Sequence, residues 1–340
     1  MKKIAINGFG RIGRTIAKIN EKYNFFDLVH INDINPHPEN LAYLFKYDST
    51  YGKFDGDVNH SKNSIIFNEK NVSYSSHSRL KDIGWDELSI DLLIDSSGIG
   101  QNIADGKSLI KDGKFKKMIV TNSYDDVDNE IIMGVNDSSL TSNDNVVSNS
   151  ICDANAIAHI MKWLDDEFDI LGGSLTTLHP WLSYQNLVDG TSISTSNPGV
   201  VWKDFALGRA SIGNLIPKNT TAMTAVEKVI PKLEGKVLSL SYRIPTDIVA
   251  SSDITLNLGR DVSESELRQF FEKKCNSSKY IKMNYESLVS MDYEMEELSG
   301  VIDAQWLKTN KNVVKVVLWY DNEWGYSSRV LDLANKLLSQ

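Results

Sequence analysis

A chain of 340 residues with 41% hydrophobic and 24% charged side chains has the composition of a folded globular protein and enough length for two hydrophobic cores. Its net charge of -9 gives no electrostatic basis for a nucleic-acid or anionic-membrane partner, and no stretch approaches the roughly twenty apolar residues that span a bilayer. Two cysteines, Cys152 and Cys275, exclude a disulfide scaffold and a cysteine metal cluster; with a start that runs into a glycine loop rather than an apolar leader, the expected compartment is the cytoplasm.

Lys2 to Ile6 reads as a short apolar strand that leads into Gly8-Phe9-Gly10-Arg11-Ile12-Gly13 and then a helical stretch, Arg14 to Glu21. This is a dinucleotide fingerprint: Gly8 permits the tight turn, Gly10 lets the backbone approach a pyrophosphate and Gly13 allows close helix packing. Arg11 and Ile12 lie at the helix start, where amide donors collect. A second strand, Leu28 to Ile31, ends at Asn32-Asp33, where a carboxylate can hold the ribose hydroxyls. Asp33 would repel a 2′-phosphate, so NAD is expected rather than NADP. Ser64 to Phe67 and Val72 to Ser75 read as an antiparallel hairpin, and Asp91 to Ile94 and Lys117 to Val120 as buried parallel strands. Their polar tips put Ser97 and Thr121 where ligands sit in such sheets. Residues 1–150 are therefore expected to form an α/β domain, a Rossmann-type parallel sheet that binds the dinucleotide.

Beyond Ser150 the pattern changes. A helix begins near Asp153, with Ile157, Ile160, Met161, Leu164 and Phe168 at helical spacing. Leu171 to Leu178, Val237 to Ile244 and Ile254 to Leu258 read as strands, and Ser263 to Glu266 as a capping box before a helical Leu267 to Lys274. Val313 to Trp319 is a further strand and Arg329 to Leu338 an amphipathic helix. Residues 151–319 are thus expected to form a second, α+β domain with a mixed or antiparallel sheet. The polar segment Val188 to Phe205 has little periodicity and is longer than a usual connector.

Cys152 sits where a strand-like segment meets the helix, a place where unpaired amides favour a thiolate. His179 closes the following strand and can draw the proton from such a thiol. Spacing alone does not bring the two together.

Four motifs in order, Ala5 to Arg14, Ser148 to Asn155, Thr176 to His179 and Trp319 to Ser327, resemble those of glyceraldehyde-3-phosphate dehydrogenase, and the similarity runs through Lys46 to Ser49, Asn214 to Pro217 and Tyr242 to Thr246. The resemblance implies an NAD-dependent aldehyde dehydrogenase, a homotetramer of two-domain subunits, with residues 320–340 completing the NAD-binding domain and Val188 to Phe205 near an interface loop. It makes Cys152 the nucleophile, His179 its activating partner and Asn322 the holder of the nicotinamide amide. An aldehyde, by default glyceraldehyde 3-phosphate, would become a thioester on Cys152 that phosphate attacks. Arg243 matches a phosphate-binding arginine, and Arg209, Thr220 and Asp153 are further candidate substrate contacts. For Arg209 a surface ion pair is an equally good reading.

The chain departs from the family beside the cysteine. The family's Ser before it and Thr after it are Ile151 and Asp153, its Thr three residues past the histidine is Leu182, and its Thr-Gly cradle is Thr220-Thr221. A carboxylate about 4 Å from a bound phosphate costs roughly 4 kcal/mol per charge pair at an effective dielectric near 20. Lys203 and Lys218 are candidate replacements, and Asp153 could instead stabilise its helix while facing solvent. Two alternatives follow: oxidation of erythrose 4-phosphate or another aldehyde with release to water, and a non-catalytic cofactor-binding paralogue.

Overall fold

The computed structural model describes residues 1–193 and 201–340, so the middle of the Val188 to Phe205 segment lies outside the described residues. The chain divides into two compact units, one of residues 1–131, 138–150 and 327–340, the other of residues 132–137 and 151–326. Residues 132–137 and 320–326 thus group with the second unit, a finer partition than cuts at 150 and 319.

The first unit is built on a nine-stranded sheet in the order Asn129–Glu130, Val146–Ser148, Lys117–Val120, Leu92–Asp95, Lys3–Asn7, Asp27–Asn32, Lys70–Ser75, Ser64–Phe67, Val58–Ser61. The first seven strands run parallel, and the last two pairings, of Ser64–Phe67 with its neighbours on either side, are antiparallel. Parallel strands covered on both faces need unbroken apolar runs, and Ile4, Ile6, Leu92, Leu93, Ile94 and Ile119 are fully buried. Helix α1 (Arg11–Tyr23) follows the first strand, then α2 (Pro38–Lys46) and α3 (Gln101–Lys111). The strand order reverses at Lys3–Asn7, which has Asp27–Asn32 on one side and Leu92–Asp95 on the other, and such a switch point opens a crevice at the carboxyl ends of Lys3–Asn7 and Leu92–Asp95.

The fingerprint glycines are sterically required there. Gly8 has φ +87°, and a Cβ on it would lie 2.7 Å from the Ser97 amide nitrogen; one on Gly13 would lie 2.1 Å from the Gly8 carbonyl oxygen. Gly13→Ala must push α1 away from the loop, an overpacking cost of roughly 1–3 kcal/mol. The expected result is an NAD dissociation constant at least about tenfold higher by calorimetric titration, and a melting midpoint lower by roughly 2–4 °C per kcal/mol. Unchanged NAD affinity would show that the loop does not need this contact.

The second unit has a mixed sheet in the order Ile216–Lys218, Val237–Ile244, Ile170–Pro180, Ala250–Leu258, Val313–Tyr320, Gly300–Asp303, Ile281–Asn284, with Lys308–Asn310 also paired to Val313–Tyr320. Helix α4 (Cys152–Phe168) packs Ala154, Ile157, Ile160, Met161 and Leu164 into one core with Leu175, Ile254, Val316 and Leu318. Helices α5 (Ala222–Val229) and α6 (Glu264–Asn276) follow, and α6 is capped as its sequence predicts, Ser263 Oγ accepting from the Glu266 amide at 3.2 Å. On the strand Ile170–Pro180 alternation turns Leu175, Thr177 and His179 inward and Leu178 outward, while a register shift between Ile170 and Gly172 leaves Leu171 exposed; beside it Leu238 is 78% exposed. Helix α7 (Trp324–Leu337) starts five residues before the predicted Arg329.

Candidate active site

Cys152, Asp153, His179, Arg243 and Tyr320 all belong to the second unit. Ser150, buried with a left-handed φ of 56°, and Ile151, extended at φ −121°, turn the chain into α4, so Cys152 is the first helical residue. The sheet brings up the rest. The strands Ile170–Pro180 and Val237–Ile244 run parallel with His179 opposite Arg243, and inward alternation buries both, at 5% and 8% exposure. Tyr320 arrives at the end of Val313–Tyr320, paired with Ala250.

Cys152 Sγ lies 3.7 Å from His179 Nε2 and 3.5 Å from Asp153 Oδ1. His179 Nδ1 is 2.8 Å from the Pro180 carbonyl oxygen, which accepts only from an N–H. The proton is therefore on Nδ1, and Nε2 carries the lone pair that faces sulfur. Burial, with Arg243 adding to it, lowers the His179 pKa to about 4, so the imidazole is neutral at physiological pH. The sheet thus brings Cys152 and His179 together, which spacing alone could not show.

Two sequence expectations are corrected here. Burial first, and then the Asp153 carboxylate, push the Cys152 thiol well above the ordinary cysteine range, so the helix N-terminus does not produce a resting thiolate. Asp153 does not face solvent: it is 6% exposed, and its Oδ1 accepts from the Tyr320 hydroxyl at 2.9 Å as well as from the Cys152 thiol. Tyr320 also contacts Ser252 Oγ at 3.2 Å. Tyr320 lies inside a quoted motif, yet nothing local marks its hydroxyl as the partner of Asp153; only the strand end brings it there.

Next to this cluster is a cationic one. Arg243 donates from one Nη to Tyr184 Oη at 3.2 Å, while its buried Nε has no partner among the described residues. Lys218 is half-buried, and its pKa is lowered by burial and then by Arg243, with Asp153 and Asp204 acting the other way. Tyr184, held edge-on against Trp202 with ring centroids 4.8 Å apart, was not singled out from sequence. Thr220 Oγ1 accepts from the Ala222 amide at 3.1 Å at the start of α5. Arg209 is corrected to the surface role: its side chain is 65% exposed and paired with the equally open Asp189 at 2.9 Å, so solvent and a carboxylate already satisfy it. Lys203 is exposed.

In the first unit the loop residues can accept a dinucleotide. Among the described residues a Cβ on Gly10 would meet nothing within 4 Å, which leaves room for a pyrophosphate against the opening amides of α1. Asp33 accepts from the Phe9 amide at 2.6 Å and from the Asn35 amide at 2.9 Å, so it shapes the loop and still has lone pairs for hydroxyls. The Arg11 guanidinium is tied to Asp48 at 2.7 Å; its backbone amide, not its charge, is what α1 offers a ligand. Ser97 and Thr121 stand half-buried beyond Leu92–Asp95 and Lys117–Val120; Ser97 Oγ accepts from Asn102 at 3.0 Å and the Thr121 amide donates to Asp95 O at 3.0 Å. In the second unit the buried Asn322 Oδ1 has no hydrogen-bond partner among the described residues, an acceptor suited to a carboxamide N–H.

The family models for the glyceraldehyde 3-phosphate dehydrogenase NAD-binding domain and C-terminal domain match residues 2–103 and 151–322. The chain belongs to the glyceraldehyde-3-phosphate dehydrogenase family. It is 36% identical to the enzyme so named from Cochliobolus lunatus over 97% of this chain and 96% of that one. It is 34% identical to glyceraldehyde-3-phosphate dehydrogenase 2 of Saccharomyces cerevisiae over 98% of both, and 35% identical to the Buchnera aphidicola enzyme over 97% of both. The family match makes the chain an NAD-dependent oxidoreductase with NAD as its cofactor, on a Rossmann-type sheet joined to a mixed-sheet unit.

Proposed function

We propose that this member of the family oxidises a phosphorylated aldehyde, glyceraldehyde 3-phosphate in the first instance, through a thioester on Cys152. The observation that carries this is the neutral His179 Nε2 lone pair 3.7 Å from Sγ. Because the resting sulfur is a thiol, His179 takes its proton as the sulfur adds to the aldehyde carbonyl, giving the oxyanion form of a hemithioacetal. NAD, when bound, supplies the acceptor for hydride. Loss of that hydride leaves the acyl group on Cys152. Arg243 Nε, Lys218 and the Thr220 hydroxyl are assigned to the substrate's phosphate, with Tyr184 orienting Arg243. Gly8, Gly10, Gly13 and the Arg11 and Ile12 amides are assigned to the pyrophosphate, Asp33 to the ribose, Ser97 and Thr121 to further cofactor contacts and Asn322 to the carboxamide.

The test is a panel of glyceraldehyde 3-phosphate, erythrose 4-phosphate and unphosphorylated glyceraldehyde with purified protein and NAD, followed by NADH absorbance. The expected result is preference for a phosphorylated aldehyde by at least about tenfold in kcat/KM. NAD binding with no NADH from any of them would favour a cofactor-binding paralogue.

We also infer self-association. Leu178, Leu238 and Leu240 lie on the sheet face opposite α4, where alternation in a monomer puts polar side chains, and Leu178 and Leu238 are 37% and 78% exposed. Sedimentation is expected to give four chain masses, and Leu238→Asp to shift the protein to smaller species while keeping its far-ultraviolet dichroism. A monomeric native protein would remove this reading. No helix among the described residues is long and apolar enough to cross a membrane, and the cytoplasm is the compartment we propose.

A further inference from the structure

We propose that Asp153 activates water against the Cys152 thioester, so that the product is released as a free carboxylic acid and not as an acyl phosphate; the inference rests on the thioester reading above. Three observations carry it. First, Asp153 is a buried carboxylate whose Oδ1 lies 3.5 Å from the sulfur that bears the acyl group. A water held by that oxygen is within reach of the carbonyl carbon one bond from Sγ. Second, Tyr320, itself buried and braced on Ser252, fixes Asp153 in this position through its hydroxyl.

Third, the charge balance around the sulfur suits a neutral nucleophile. The cations Arg243 and Lys218 are matched by the carboxylates of Asp153 and Asp204, all of them close enough to Lys218 to affect it, and His179 is neutral. The substrate's own phosphate uses up what positive field these groups offer. A second phosphate dianion would then have to approach Cys152 beside a fixed carboxylate, in surroundings that already carry net negative charge. Neither Ile151 nor Leu182 has a side-chain donor to bring to it. Water meets no such barrier.

The step balances without a further reagent. Water oxygen bonds to the thioester carbon and its proton passes to Asp153 Oδ1. Collapse of the tetrahedral adduct breaks the C–S bond, and the electron pair goes to Sγ. The proton then moves from Asp153 to sulfur along the contact present in the resting site. The acid leaves, the thiol is restored, and no redox change occurs in this step.

Three measurements on the full chain test this. Native protein with NAD and its best aldehyde, in ¹⁸O-labelled water without phosphate, should turn over many times and place one labelled oxygen in the acid; added inorganic phosphate should change kcat less than about twofold. Asp153→Asn should give a burst of one NADH per site, then turnover slowed by roughly 100-fold or more, the usual scale of a general base, with the acylated Cys152 peptide accumulating in mass spectra. To separate this from the oxidation reading, Cys152 is acetylated with p-nitrophenyl acetate without NAD or aldehyde. Deacetylation should slow to the same degree in Asp153→Asn and recover in part in Asp153→Glu. Turnover that requires phosphate, an acyl-phosphate product, or native deacetylation rates in Asp153→Asn would overturn the role of Asp153 and leave the oxidation intact. No NADH burst from any aldehyde, with deacetylation still dependent on Asp153, would overturn the oxidation and uphold Asp153 as the base.

Discussion

Cys152→Ser should lower kcat/KM for aldehyde oxidation by at least about 10⁴-fold while NAD still binds, because a hydroxyl both adds less readily and leaves an ester in place of a thioester. His179→Ala should cost less, roughly 10²–10³-fold, since it removes a base and leaves the nucleophile. The ordering is specific to a site in which sulfur is resting thiol and Nε2 its proton acceptor at 3.7 Å. The pH dependence follows from the same geometry. With His179 near 4, the imidazole is already neutral above about pH 5, so the acylation rate should show no inflection at the usual histidine value and should fall only as pH drops toward 4. Steady-state and single-turnover kinetics across pH check this. A Cys152→Ser enzyme within tenfold of native would remove the cysteine from the mechanism.

Asp153→Asn should make Cys152 more reactive toward iodoacetamide. In the native site burial and the neighbouring carboxylate both disfavour the thiolate, and only the second disappears in the variant. Two unit charges about 4 Å apart interact by roughly 4 kcal/mol at an effective dielectric near 20, which corresponds to about a thousandfold in thiolate population. Local relaxation reduces this, so an acceleration of about ten- to a hundredfold at pH 8 is expected, with Cys275 as the internal reference, its thiol raised to about 12 by burial alone. Peptide mapping by mass spectrometry reads the two cysteines separately. Equal labelling of Cys152 in native and variant protein would mean that the carboxylate does not govern the sulfur. The prediction is sharp because the same substitution should raise nucleophilicity and slow deacylation, two effects that a purely structural role for Asp153 would not oppose to one another.

The elements were legible because their signals are local. The strand Val237–Ile244 falls where its alternation puts it, the capping residue Ser263 opens α6, and the hairpin after Val58–Ser61 pairs as its turn residues require. The glycine fingerprint was legible for the same reason: Gly8, Gly10 and Gly13 meet their constraints within one turn of α1 and its adjoining strands. Element ends were less so. Helix α1 begins at Arg11 and not Arg14, and α7 at Trp324 and not Arg329, since packing extends a helix past the point where its amphipathic pattern begins. Arg209 shows the limit for charged groups. Its neighbours in sequence gave no means to choose between a substrate anion and Asp189, and the choice was made by a residue twenty positions away.

By itself the sequence determined the family and the cofactor class, and it singled out Cys152 as the candidate nucleophile, because each is written in short motifs whose chemistry needs those residue types at that spacing. It also showed that Ile151, Asp153 and Leu182 depart from the family, but not what the departure does. That was decided in three dimensions. A strand end placed the Tyr320 hydroxyl on Asp153, and two parallel strands in register set Arg243 beside His179. Burial, which depends on the whole packed unit, then turned an expected thiolate into a thiol and a solvent-facing aspartate into a partner of the reacting sulfur. Charge state and proton position depend on desolvation and on neighbours distant in the chain, and no local pattern of residues records either.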